Sequence, residues 1–128
     1  MTRTTIRLPW PGQALSPNTR QHWARHSRAK SNYRLACLCA VREQGVASLP
    51  GNRWDVSLVF NPPNRRRLDL DNLLARMKAG LDGVAQALGI DDAQFVRISG
   101  EMAAADPMGA DAACVLVTIE PHAVEVAK

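Results

Sequence analysis

The stretch Arg65–Asn72 reads RRRLDLDN, three arginines running directly into two aspartates one residue apart. Alternation along an extended approach segment would put Asp69 and Asp71 on the same side. Two carboxylates aimed at one point repel unless a proton or a cation lies between them. Carboxylate and water oxygens suit Mg²⁺, which takes one or two carboxylates and keeps its other positions for water and substrate phosphate. Arg65, Arg66 and Arg67 suit the same substrate from the other side, since guanidinium groups grip phosphate regardless of base sequence. Both signs together point to phosphodiester chemistry. Asp71 also has an ordinary use as a helix N-cap, and the two uses are compatible.

Other candidates surround this stretch. Asp91-Asp92 follows a Gly89 turn and reads, by itself, as a turn or cap pair. The first predicted helix carries Arg20, Arg25, Arg28, Lys30 and Arg34, with His22 and His26, and no acid until Glu43. Each cation alone is a solvated side chain; as a set beside a phosphate-handling site they read as phosphate contacts. His22 and His26 lie four residues apart, but the intervening WAR lacks the glutamate of a HExxH zinc helix, so they read as surface or DNA-facing groups. Trp23 and Tyr33 read as packing or dimer contacts. Cys37, Cys39 and Cys114 have no metal-ligand spacing and read as reduced thiols, as in a cytoplasmic protein.

These residues need elements to position them. Thr5–Trp10 alternates, with Ile6, Leu8 and Trp10 on one face, and predicts a first strand. Residues from about 19 to 44 lack Gly and Pro and predict a long helix ending at Gly45. Arg53–Phe60 is a strand burying Trp54, Val56, Leu58 and Phe60, stopped by Pro62-Pro63. A second helix runs from about Asn72 to Leu88, closed by Gly89, with Leu73, Met77, Leu81, Val84 and Leu88 as its core stripe. Phe95–Met102 and Ala113–Glu120 complete the order β-α-β-α-β-β. That is an α/β (α+β) fold, a mixed sheet with helices packed on it. One domain over residues 1–120 is expected, with 121–128 a frayed tail.

At about 100° per residue, Asp71 falls well away from the stripe, and Ala75, Lys78 and Asp82 fall on one polar edge with it. A helix of about 17 residues would carry the chain roughly 25 Å from Asp71 to Asp91. Asp91 or Asp92 could then join Asp69 and Asp71 only through a bend in that helix or through a second subunit.

Charge is distributed unevenly. Residues 1–78 hold 14 Lys and Arg against 4 Asp and Glu, whereas residues 79–128 hold 2 against 8. A basic first half favours a polyanionic partner, nucleic acid ahead of a membrane surface. No apolar run approaches the roughly 20 residues of a membrane span. The 46% hydrophobic and 22% charged fractions exclude a disordered chain.

The LPWP of Leu8–Pro11, the SPNTRQHW of Ser16–Trp23, the FNPPNRRR strand end, RRRLDLDNL and IDDAQF (Ile90–Phe95) together resemble the RusA-type Holliday-junction resolvases, small endonucleases of phages and prophages. The resemblance covers most of the chain. It implies a homodimer that resolves four-way DNA junctions by paired incisions in recombination and repair. It also implies a Mg²⁺ site (or Mn²⁺) on Asp69, Asp71 and Asp92, with Asp91 as the alternative to Asp92. A lysine follows the DLDN stretch in that family, four residues beyond the second Asp; position 75 here is Ala. Lys78 takes the role, with Arg76 as the other nearby cation, because Lys78 shares the edge with Asp71 and stands four residues before Asp82. The implied DNA-binding residues are Asn18, Arg20, Arg25, Arg28, Lys30 and Arg65–Arg67. The implied reaction is phosphodiester hydrolysis to 5′-phosphate and 3′-hydroxyl ends.

Overall fold

The computed structural model describes residues 3–17, 22–49, 51–104, 109 and 112–123. Strand β1 (Thr4–Pro9) is followed by a 3₁₀ turn at Gln13–Leu15 and helix α1 (Trp23–Glu43). Strand β2 (Trp54–Asn61), helices α2 (Leu70–Arg76) and α3 (Lys78–Leu88), a 3₁₀ turn at Asp92–Gln94, and strands β3 (Phe95–Met102) and β4 (Cys114–Pro121) complete the chain. The sheet order is β1-β4-β2-β3. β4 runs antiparallel to β1 and β2, while β3 is parallel to β2. The expected mixed α+β sheet is thus present, with both β1 and β3 as edges.

The alternation read from the sequence explains the layering. Ile6 and Leu8 of β1, Trp54, Val56, Leu58 and Phe60 of β2, and Val115, Val117 and Ile119 of β4 are all buried on one face. The helices cover that face, and the stripe Leu73, Met77, Leu81, Val84 and Leu88 is buried against it. The opposite face is polar, carrying Thr5–Thr118 and Ser57–Ser99 side-chain contacts at 3.2 and 3.4 Å. No described helix is long and apolar enough to cross a membrane.

Four expectations are corrected. The helix after the arginines starts at Leu70, so Asp69 is its N-cap and Asp71 lies in its first turn. Asp69 and Asp71 therefore flank a helix start and do not alternate along an extended segment. That helix is also two: at Met77 the N–H bonds to Leu74 O, three residues back, and the i−4 ladder resumes with Leu81 N to Met77 O at 2.8 Å. No proline or glycine causes this tightening. It coincides with Arg76 being drawn to Pro11 and Met77 being held beneath the Tyr33 hydroxyl. Trp23, read as a packing or dimer contact, is 76% exposed, which overturns packing within the subunit: α1 begins at this residue, and its ring lies 5.7 Å from the His22 ring. Tyr33 does pack, donating to Pro9 O at 2.7 Å. Finally, β4 runs through Pro121, and His122 N–H still bonds Arg53 O, so order extends past residue 120. Residues 124–128 lie outside the described residues.

Two glycines let α3 approach α1 closely. A Cβ on Gly80 would stand 2.6 Å from Tyr33 Cε2, and one on Gly83 would run into the Arg34 carbonyl. The KAGLDG segment thereby sets how near the two helices come, and with it the shape of the space between them.

Candidate functional site

The α2 N-terminus is tied to the first loop by two side chains. Asn72 donates to the Ser16 hydroxyl at 2.8 Å, and Arg76 donates to Asn72 Oδ1 at 2.8 Å and to Pro11 O at 3.3 Å. This is the physical reason that the LPWP and SPN stretches belong with DLDN: the first loop is bonded to the helix that carries the aspartates. Arg76 is 9% exposed, and burial lowers its pKa from the usual value. It is a structural cation.

Asp69 and Asp71 are both exposed and line, with Leu70 and Asn72, a cleft of about 440 Å³. Asp69 makes no side-chain cap bond although it occupies the cap position. The carboxylates thus face solvent from the positive end of a short helix, just beyond exposed Arg65–Arg67. Arg66 N–H bonds the Asn64 side chain at 2.9 Å, which fixes the turn in the arginine run.

A larger cleft of about 880 Å³ lies between α1, the α2–α3 junction and β3. Its walls carry His26, Lys30 and Arg34 from α1, Lys78 and Asp82 from α3, and Asp92. Of the four residues that the angular count puts on one edge, Ala75, Lys78 and Asp82 line this cleft together, whereas Asp71 lines the smaller cleft. Lys78 is exposed, whereas Arg76 is committed to Asn72 and Pro11; of the two nearby cations Lys78 is the one available to a ligand. Arg34 is held at the cleft by Gln86, its Nη1 donating to Oε1 at 2.6 Å.

Asp82 and Asp92 line this cleft together and interact. Burial raises the Asp82 pKa, and the bond to Asp92 and that group's negative charge raise it further. Asp92 moves the other way, chiefly through its hydrogen bond with Asp82. Asp82 is the cleft residue to which the sequence reading gave no role, although its position on the Asp71 edge was legible.

Asp91 caps the 3₁₀ turn. Its side chain accepts from Ala93 N–H at 2.9 Å, and Gln94 Oε1 accepts from the Asp91 N–H at 3.0 Å. The ordinary cap role thus holds for Asp91, and Asp92 is the member of the pair that faces the cleft. Among the described residues no three His, Cys, Asp or Glu side chains gather closely enough to hold a metal ion. Asp69 and Asp71 stand together; Asp92 stands with Asp82, in the other cleft. Two carboxylates remain a donor set that fits a hard, largely hydrated cation such as Mg²⁺.

Of the basic set, Arg25, Arg28 and Lys30 are exposed on α1. Asn18 and Arg20 lie outside the described residues. His22 caps α1, its Nδ1 accepting from Ala24 N–H at 3.2 Å, and His26 Nδ1 lies 2.9 Å from Ala14 O. Both imidazoles have local structural partners.

Comparison with known protein families finds no family that matches this chain. The chain is 46% identical over 95 residues to a protein of Xylella fastidiosa (strain Temecula1 / ATCC 700964) described as an uncharacterized protein. The match takes in 72% of this chain but 62% of that relative, so the chain spans less than two thirds of its length.

Proposed function

We propose that this protein is a Mg²⁺-dependent endodeoxyribonuclease that resolves four-way DNA junctions, working as a cytoplasmic homodimer in recombination and repair, as its resemblance to the RusA-type resolvases implies. The observation that carries this reading is the α2 start. Two solvent-facing carboxylates, Asp69 and Asp71, open a cleft directly after three exposed arginines. A pure phosphate binder gains nothing from aspartates beside the DNA backbone, whereas a phosphodiesterase needs them.

In this reading Asp69 and Asp71 hold the cation, with Asp92 the third candidate from the neighbouring cleft. When bound, Mg²⁺ (or Mn²⁺) supplies charge neutralisation at the phosphate and acidifies water. Arg65–Arg67 grip the flanking phosphates, and Arg25, Arg28 and Lys30 extend the contact along α1. Lys78 stabilises negative charge developing on the phosphate oxygens. Asp82 keeps Asp92 and Lys78 in place at the cleft.

The test compares cleavage of a four-way junction with a linear duplex of the same sequence, with and without Mg²⁺. Paired nicks confined to the junction are expected, with Asp71→Asn binding the junction normally but no longer cutting it. Equal rates on both substrates would leave a less selective nuclease. Binding with no cleavage under any divalent cation would leave a DNA-binding module.

A further inference from the structure

Of the four large apolar side chains exposed among the described residues, Ile98 (51%) and Met102 (38%) lie on β3. β3 is an edge strand: β2 pairs with one side of it, and no described strand pairs with the other. Ala103 N–H bonds Phe60 O at 2.9 Å on the β2 side. Backbone groups alternate along a strand, so Ile98, Gly100 and Met102 turn their N–H and C=O groups outward.

The side chains alternate as well. Ile98, Gly100 and Met102 stand opposite Val56, Leu58 and Phe60, on the helix-covered face. Arg97, Ser99 and Glu101 stand opposite Asp55, Ser57 and Val59, on the polar face. Arg97 has an acid across from it, but Asp55 already bonds His122 Nδ1 at 2.7 Å. Glu101 faces Val59. Neither Arg97 nor Glu101 forms an ion pair with a described residue.

We infer that β3 is a self-complementary edge that pairs antiparallel with β3 of a second copy, about a two-fold axis at Ser99. This register sets Ile98 opposite the partner's Gly100, and both have outward backbone groups, so they exchange two hydrogen bonds. The symmetry repeats the exchange. Leu74 lies over Gly100, its Cδ2 2.7 Å from where a Cβ would stand, so Ile98 meets an apolar surface there. On the polar face Arg97 comes opposite the partner's Glu101, and Glu101 opposite the partner's Arg97. Moving the axis to residue 98 or 100 keeps the outward groups matched but loses both charge pairs, so charge selects the register. The shift in pairing at Trp54/Asp55 leaves Val96 out of the ladder and ends the pairing there.

Partners across an antiparallel ladder point to the same face, so the joined sheet carries both helix layers on one side. Phe95 and Ile98 line the larger cleft. Phe95 is about 13 Å along the strand from the axis, at about 3.3 Å per residue. The two clefts would open to one face, roughly 25 Å apart. The interface does not depend on the nuclease reading, although it would present two sites to one branched duplex.

Reciprocal charge reversal tests it on the full chain without DNA. Sedimentation should find a dimer at tens of micromolar (roughly the range where modest interfaces associate). Arg97→Glu and Glu101→Arg, each turning both symmetric pairs repulsive, should each weaken dimerisation about tenfold or more, and R97E/E101R should restore it. A monomeric wild type, a dimer indifferent to the single reversals, or a double variant as weak as the singles would overturn the proposal. Junction cleavage measured separately keeps the two readings apart: a β3 dimer that does not cut DNA defeats only the nuclease.

Discussion

Gly83→Ala isolates the contact that shapes the larger cleft. In an exposed helix interior, Gly to Ala stabilises by about 1 kcal/mol. Here the new Cβ would collide with the Arg34 carbonyl and stand 3.0 Å from Arg34 C and 3.2 Å from Leu38 N. These are backbone atoms of α1, so no side-chain rotation relieves the clash and α1 must move away from α3. Overpacking of this kind costs about 1–3 kcal/mol, occasionally more, and rigid backbone on both sides puts this site at the upper end. The net expectation is a loss of about 2 kcal/mol, which lowers Tm by roughly 6–10 °C for a domain of this size. Because Arg34 and Lys30 move with α1 while Lys78 and Asp82 stay with α3, cleft function should fall as well. Thermal and urea melts give the stability, and Gly89→Ala is the reference. Gly89 has φ 69° with open space around it, so its cost is confined to the left-handed backbone, about 1 kcal/mol. Gly83→Ala equal to or more stable than wild type would refute the close-contact reasoning.

The two cations at the α2–α3 junction should separate by assay. Arg76→Ala should lose about 2 kcal/mol, since it strips partners from half-buried Asn72 and the buried Pro11 carbonyl, while Lys78→Ala should melt like wild type and lose only DNA cleavage. Replacing Arg65–Arg67 with alanine should flatten the log–log salt dependence of DNA binding by roughly 3, with binding weakened on every sequence tested. Thiol chemistry should follow burial: at pH 8 an alkylating reagent should modify exposed Cys39 rapidly, with buried Cys37 and Cys114 reacting only on unfolding. Burial raises the Cys37 thiol to about 12 and moves the Tyr33 hydroxyl in the same direction. A raised folded-state value contributes stability that is full below the unfolded thiol pKa and lost as pH climbs through the folded value. Stability should therefore decline from about pH 9 to 12, and Cys37→Ala should shrink that decline in alkaline melts.

Local chemistry in this chain was enough to read its elements and several residues that line its clefts. Alternation in Trp54–Phe60 and the spacing of Leu73, Met77, Leu81, Val84 and Leu88 required one buried face each, and those side chains are buried. The same angular count put Asp71, Ala75, Lys78 and Asp82 on a shared edge; the last three line one cleft and Asp71 lines the other. Gly89 closed its helix where a left-handed residue was needed. What the sequence left open depends on contacts between distant segments. The break at Met77 carries no proline or glycine signal. It coincides with Pro11 and Tyr33, more than forty residues earlier, bonding Arg76 and Met77. Asp69 rather than Asp71 became the cap because the helix begins one turn ahead of its apolar stripe. The choice between Arg76 and Lys78 turned on burial, which no spacing reveals: one guanidinium is bonded under the first loop and one ammonium is left in the cleft. The meeting of Asp82 with Asp92 likewise needed the chain to return past the Gly89 turn and dock β3 beside β2. Periodicity specifies which face a residue takes; only packing specifies what stands opposite it.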